Sequence, residues 1–141
     1  MIKFYNSTDF HPSLTKIRKL VKKLFQYFKL PSEYTIEIIL VDLSTIKKLN
    51  KKFLNHDYST DVLSFPLDNS CLTQNSLPSL LGTIYLCPEY IQNQDGGVFD
   101  WDPYIIHGFI HLMNHDHTTS LQKKRWLIIQ DSINQLLQQV Q

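Results

Sequence analysis

Asp102-Pro103-Tyr104-Ile105-Ile106-His107-Gly108-Phe109-Ile110-His111-Leu112-Met113 begins with a residue that caps helices, followed by proline where a first helical turn accepts one. Asp102 is therefore the expected N-cap. Tyr104, Ile105, Ile106, Phe109, Ile110, Leu112 and Met113 make the segment apolar nearly all round, and a helix of that kind lies buried. It needs cover on every side, so the fold must be layered around it.

The flanks supply that cover. Downstream, Thr119-x-x-Gln122 has the pattern of a capping box, and an apolar stripe follows through Trp126, Ile129, Ile133, Leu136 or Leu137, and Val140. Upstream, Pro88-Glu89 opens a short helix, and Gln92 to Asp100, with Gly96-Gly97, reads as a flexible turn. Gly82–Cys87 and Val62–Phe65 read as strands, the second ended by Pro66, with Asp68–Ser79 between them as a polar loop expected to be mobile. Asn55–Thr60 is a polar loop. Before it, Asp42 and Ser44 offer caps for a helix to about Phe53, and Tyr34–Val41 is a strand rich in β-branched residues. Leu14, Ile17, Val21, Leu24 and Phe28 give Ser13–Lys29 an amphipathic helical period that Pro31 stops, and Ile2–Tyr5 is a short first strand. The pattern predicts an α+β fold: a small mixed β-sheet packed with helices around a central buried helix, one domain over residues 1–141.

With 43% hydrophobic and 12% aromatic residues in 141, the chain can bury a core, which excludes intrinsic disorder. No run approaches the roughly 18 apolar residues of a membrane span, and the first residues are too polar for a secretory signal. A soluble intracellular protein is expected. Cys71 and Cys87 have neither zinc-site nor framework spacing and read as free thiols, so any metal comes through histidine. The net charge of +1 conceals an asymmetry: residues 1–52 hold eleven of the fourteen Lys and Arg, whereas residues 53–122 hold none, and eight acids. A concentrated basic face can meet phosphates, although a solvated helix face is the plainer reading of charge alone.

His107 and His111 stand four apart on the buried helix, so their rings leave one face and can share a metal. Asn114 falls where a helix ends, and Asn tolerates the left-handed conformation that would turn His117 back toward them. A lone histidine on an apolar helix is ordinarily a hydrogen-bonded core residue; three within eleven positions form a ligand set. Three imidazoles leave a fourth tetrahedral position open, as catalytic zinc sites do, though imidazole also suits nickel, copper or iron. His115 and Asp116 are weaker catalytic candidates; Asp116 either orients a ligand ring or caps the next helix. His56 is a weak site candidate in its polar loop, and His11 reads as a surface residue. A metal held by three histidines acidifies bound water and polarises an ester, peptide or phosphodiester. The H-E-x-x-H proteases place a glutamate base beside the first histidine, and here that position is Gly108, which argues against a peptidase of that kind.

The segment His107–His117 resembles the H-G-x-L-H-L-x-G-Y-D-H signature of the YbeY proteins, bacterial metal-dependent endoribonucleases of ribosomal RNA maturation. Leu49-Asn50, Asp57 and Thr60-Asp61-Val62-Leu63-Ser64-Phe65-Pro66 resemble that family's L-N-x-x-[YF]-R-x-x-x-x-x-T-[DN]-V-L-S-F-P, and Leu81-Gly82-Thr83-Ile84 is similar to its L-G-D-I strand. The resemblance implies that His107, His111 and His117 bind one zinc ion at the base of a cleft. It implies a single-stranded RNA substrate, a role in trailing-end processing of small-subunit ribosomal RNA and ribosome quality control, the small ribosomal subunit and its assembly factors as partners, and a cytoplasmic location. Lys19, Lys22, Lys23, Lys47 and Lys51 would then hold the phosphate backbone.

Four departures from the family pattern matter. The family's arginine falls on Leu54, its strand aspartate on Thr83, and its glycine and tyrosine on Asn114 and His115. Leu54 motivates the alternative reading of a ribosome-assembly factor that binds RNA or protein, with a structural zinc and little or no nuclease activity.

Overall fold

Ile36, Ile38 and Leu40 are fully buried on one face of a strand, at the period of two that a pleated backbone imposes. In the computed structural model, which describes residues 1–67, 80–94, 96 and 100–138, that strand is β2 (Thr35–Leu40). It belongs to a four-stranded sheet with β1 (Ile2–Asn6), β3 (Val62–Pro66) and β4 (Leu80–Leu86), in the order β1-β2-β4-β3. β1 and β4 flank β2 in parallel, and β3 closes the edge antiparallel to β4. With the helices α1 (Leu14–Tyr27), α2 (Leu43–Leu54), α3 (Pro88–Gln94), α4 (Asp102–Leu112) and α5 (Ser120–Gln138), this is the expected α+β fold with a mixed sheet.

Alternation along the strands sends the helices to two faces. Ile36, Ile38, Ile84 and Leu86 share one core with α1, α4 and α5, through residues such as Leu24, Phe109 and Ile133. On the other face Leu63, Phe65, Tyr85 and Ile39 join a smaller core with Ile46 of α2. The helix read as buried is α4: Ile105, Phe109 and Ile110 have no exposure at all. Its Phe109 ring lies 5.6 Å from Phe28 and 5.8 Å from Phe25, so α1 and its C-cap pack against α4.

Gly108 sets how closely α4 approaches the strands. A Cβ there would meet Ile84 Cγ2 and Ser64 Oγ at 2.9 Å each, and Ser64 donates its hydroxyl to the Gly108 carbonyl at 2.9 Å. This also settles the comparison with the H-E-x-x-H helix, because the position beside His107 faces β3 and β4, where a glutamate has no room.

The capping residues expected for α2 and α5 serve as such, and Ser13 caps α1 as well. Ser13 accepts from the Lys16 N–H, Asp42 from the Thr45 N–H, and Thr119 and Gln122 exchange reciprocal bonds at 3.1 Å, a complete capping box for α5. At α4 the expectation needs correction. Trp101 is the N-cap, and Asp102 is already the first residue of the helix, its N–H bonded to the Asp100 carboxylate at 3.1 Å. Two acids two positions apart could each serve the helix start, and the backbone at 102 goes to the earlier one. The turn expected from Gln92 is likewise shorter, since α3 runs through Gln94. Cys87 is buried and free, and burial pushes its thiol up. The loop expected at 68–79, with Cys71, lies outside the described residues, as does Val140. Among the described residues no helix is long and apolar enough to cross a membrane.

Candidate metal centre

α4 ends in a Schellman turn: Asn114 takes φ +64, its N–H reaches the His111 carbonyl, and the His115 N–H reaches that of Ile110. The chain doubles back as the asparagine suggested and returns His117 to the helix face that carries His107 and His111. The ring centroids of His107 and His111 are 4.8 Å apart, and that of His117 is 5.3 Å and 5.2 Å from them. One nitrogen from each ring falls within 4.8 Å of the others, so the three could hold a metal ion.

Two neighbours make hydrogen bonds around the cluster. His115 acts through its backbone: its carbonyl lies 3.0 Å from Nδ1 of His111, so that ring nitrogen donates outward and Nε2 is left for the cluster. The Asp116 carboxylate accepts from the His117 backbone N–H at 2.7 Å. It neither touches a ligand ring by a hydrogen bond nor caps α5, which Thr119 does. His56 stacks on Tyr58 with centroids 5.2 Å apart, outside the cluster, and His11 is outside it as well.

Sequence periodicity placed Trp126 only in the apolar stripe of α5. In three dimensions its ring packs against all three histidines, with centroids 4.9, 4.6 and 4.8 Å from His107, His111 and His117. It is 5% exposed and forms an apolar wall behind the rings. A tryptophan nine residues after the last histidine offers no local signal of that contact; only the packing of α5 against α4 makes it.

The basic residues divide. Lys19, Lys22 and Lys23 ride on α1, in the helical layer that carries the rings, while Lys47 and Lys51 ride on α2, across the sheet. The five therefore do not line one face. Lys16 and Lys23 lie near enough to Asp102 to oppose the rise that burial, and then Asp100, impose on its carboxyl. Lys51 is 3.8 Å from Asp57 in an exposed ion pair, which contributes little.

A family model described as Endoribonuclease YbeY matches residues 3–140. The chain belongs to the YbeY family. Among curated relatives, the Endoribonuclease YbeY of Wigglesworthia glossinidia brevipalpis is 38% identical over 117 residues, covering 79% of this chain and 74% of that protein. The Endoribonuclease YbeY of Mesoplasma florum is 29% identical over 141 residues, covering 94% and 83%. The solution structure of TM1509 from Thermotoga maritima matches 99% of this chain and 91% of its own, with TM-score 0.52 and 25% identity. The departures from the YbeY pattern at Leu54 and Thr83 fall on the α2 side of the sheet. Leu54 ends α2 and is 48% exposed, and the Thr83 hydroxyl donates to Glu37 at 3.2 Å.

Burial disfavours the charged form of two of the rings. Burial, aided by His111 and His117 and opposed by Asp61, takes His107 down to about 4. Burial also lowers His111, against the bond to the His115 carbonyl, which favours a protonated ring. Neutral imidazoles are what a metal requires. In metal-free protein the sign follows from linkage. Unfolded His107 takes its proton near 6.5 and folded His107 only near 4, so between those values the unfolded state binds more protons and stability falls as pH falls. Chelator-stripped protein is expected to lose melting temperature from pH 7 toward pH 4.5, and His107→Gln to lose less. Identical acid profiles for the two proteins would contradict this.

Proposed function

We propose that residues 1–141 form a single YbeY-type hydrolase domain, a zinc-dependent endoribonuclease of single-stranded RNA. Its role would be trailing-end processing of small-subunit ribosomal RNA and ribosome quality control in the cytoplasm, with the small subunit and its assembly factors as partners. The observation that carries this reading is the convergence of three imidazoles, two from a buried helix and one from the turn after it, in a chain whose relatives bear the name endoribonuclease. His107, His111 and His117 would be the ligands, and three nitrogen donors with one side open suit a catalytic zinc.

A divalent ion there supplies Lewis acidity toward a phosphodiester. The residues do the rest. The His115 carbonyl fixes the His111 ring, Asp116 holds the His117 backbone, and Trp126 keeps water from one side of the cluster. Lys19, Lys22 and Lys23 lie on the side of the sheet from which RNA would approach the rings; Lys47 and Lys51 would meet a strand only if it wraps to the α2 side.

Leu54 supports a second reading. At the family's arginine position it presents a half-exposed apolar side chain with no charge to stabilise a phosphorane. The protein would then be an assembly factor that binds ribosomal RNA around a structural zinc. One preparation separates the two. Chelation is expected to abolish cleavage of an unstructured RNA, and one equivalent of zinc to restore it. Bound zinc and RNA binding without cleavage would establish the assembly factor instead. No bound metal would overturn both.

A further inference from the structure

Trp126 donates its indole N–H to the side-chain oxygen of Gln130, 3.1 Å away. Indole has a donor and no acceptor, so this bond fixes the amide: Oε1 faces Trp126, and Nε2 with its two hydrogens faces away. Gln130 is half-buried and stands, with Pro103, where two cavities meet. One, of about 260 Å³, reaches His107 and is walled by Asp61, Val62, Pro103 and Tyr104. The indole packed on the three rings therefore also orients the amide of a residue that lines the space beside them.

The lining has the chemistry of a nucleobase site. Val62, Pro103 and Tyr104 offer apolar and aromatic walls for a flat ring. Gln130 offers donors. Asp61 offers acceptor capacity: its Oδ1 takes the Val62 N–H at 2.7 Å and the Thr60 hydroxyl at 3.2 Å, and Oδ2 is left over. The edge of an unpaired base carries both kinds of partner. The lining includes no Lys or Arg, so it suits a base better than a phosphate. Its volume lies below the roughly 300–1,000 Å³ of pockets for drug-sized ligands, enough for one base and not a stack.

We propose that this cavity is a subsite for one nucleobase beside the phosphodiester at the histidine cluster, and that Gln130 selects the base by donating its amide hydrogens to an acceptor on the base edge. This rests on the reading of single-stranded RNA as substrate. Gln130 is a specificity residue, and Trp126 positions it.

The test is equilibrium binding by the full-length zinc-loaded protein, read by fluorescence anisotropy with four 2′-O-methyl RNA pentamers of adenine, cytosine, guanine or uracil. The parent is expected to bind one base about three- to tenfold more tightly than the least favoured, the range of one neutral hydrogen bond. Gln130→Glu keeps the acceptor for Trp126 but has no amide hydrogens, and it should lose that preference with its melting temperature unchanged. Asn134→Asp, one turn along α5, adds the same charge and should weaken all four pentamers evenly while keeping the order. Gln130→Met, which removes donor and acceptor without adding charge, should lose the preference too; if it fails to fold, Gln130→Glu still decides. A Gln130→Glu protein with the parental order and spread overturns the proposal, as does a parent with no preference. A parent that prefers one base but cuts no RNA keeps the subsite and removes the nuclease. A parent that cuts RNA without preference does the reverse.

Discussion

His111→Ala is expected to leave the purified protein without metal and to slow cleavage of single-stranded RNA by at least about a thousandfold, which corresponds to about 4 kcal/mol of transition-state stabilisation. The ring forms one corner of a triangle with the other two, 4.8 Å and 5.2 Å from their centroids, and its outer nitrogen is committed to the His115 carbonyl, so the inner one has no other employment. Removing it leaves two imidazoles, and a pair of nitrogen donors holds zinc far less firmly than three. His115→Ala is the instructive partner. Its contribution is a backbone oxygen, which alanine retains, so metal content should stay at the parental level and cleavage within about threefold. Elemental analysis and a cleavage assay on the three proteins decide the matter. A His111→Ala protein that cuts RNA at the parental rate would sink the metal mechanism, and a His115→Ala protein as inactive as His111→Ala would show that the His115 imidazole takes part.

Gly108→Val should be the most damaging substitution for folding, costing about 3 kcal/mol, in the upper range for overpacked cores. The first added carbon already meets Ile84 and Ser64 at 2.9 Å and Val62 at 3.3 Å, and the two further methyls have only the sheet to enter. Ser64 would also lose its bond to the carbonyl at 108 if α4 moved out. Gly108→Ala should cost about 1 kcal/mol, because better helix propensity offsets part of the clash. Because His107 and His111 ride on the same helix, zinc affinity should fall together with stability. Urea midpoints of the metal-free proteins measure the first effect and competition with a chelating dye the second. A valine variant within 0.5 kcal/mol of the parent would mean that α4 does not rest on β3 and β4 as described.

The features that the sequence disclosed are those written into adjacent residues. A helix apolar nearly all round could only be interior, Asn114 could turn left-handed where most residues resist it, and Thr119 and Gln122 satisfy one another's backbone N–H within a single turn. What stayed hidden depends on residues far apart in the chain. Trp126 looked like any large side chain in a stripe until α5 laid it across three imidazoles. Gln130 was one polar residue among many on that helix, and only the indole bond gave its amide a direction. The lysines of α1 and α2 looked like one basic surface because a sequence does not show that a sheet stands between them. At Asp102 two acids competed for one helix start, and nothing local chose between them.

The three converging rings come from eleven consecutive residues late in the chain. A ribosome extending this polypeptide delivers every strand of the sheet, and α1 to α3, before the first of those histidines is made. Strand pairing during synthesis must therefore proceed from side-chain hydrophobicity alone, with no ion present to organise it. The indole wall arrives later still, with α5. In birth order the histidines are latecomers to a sheet already made, so on the proposed reading a cell short of the metal should still accumulate this protein folded, in a metal-free but loadable form.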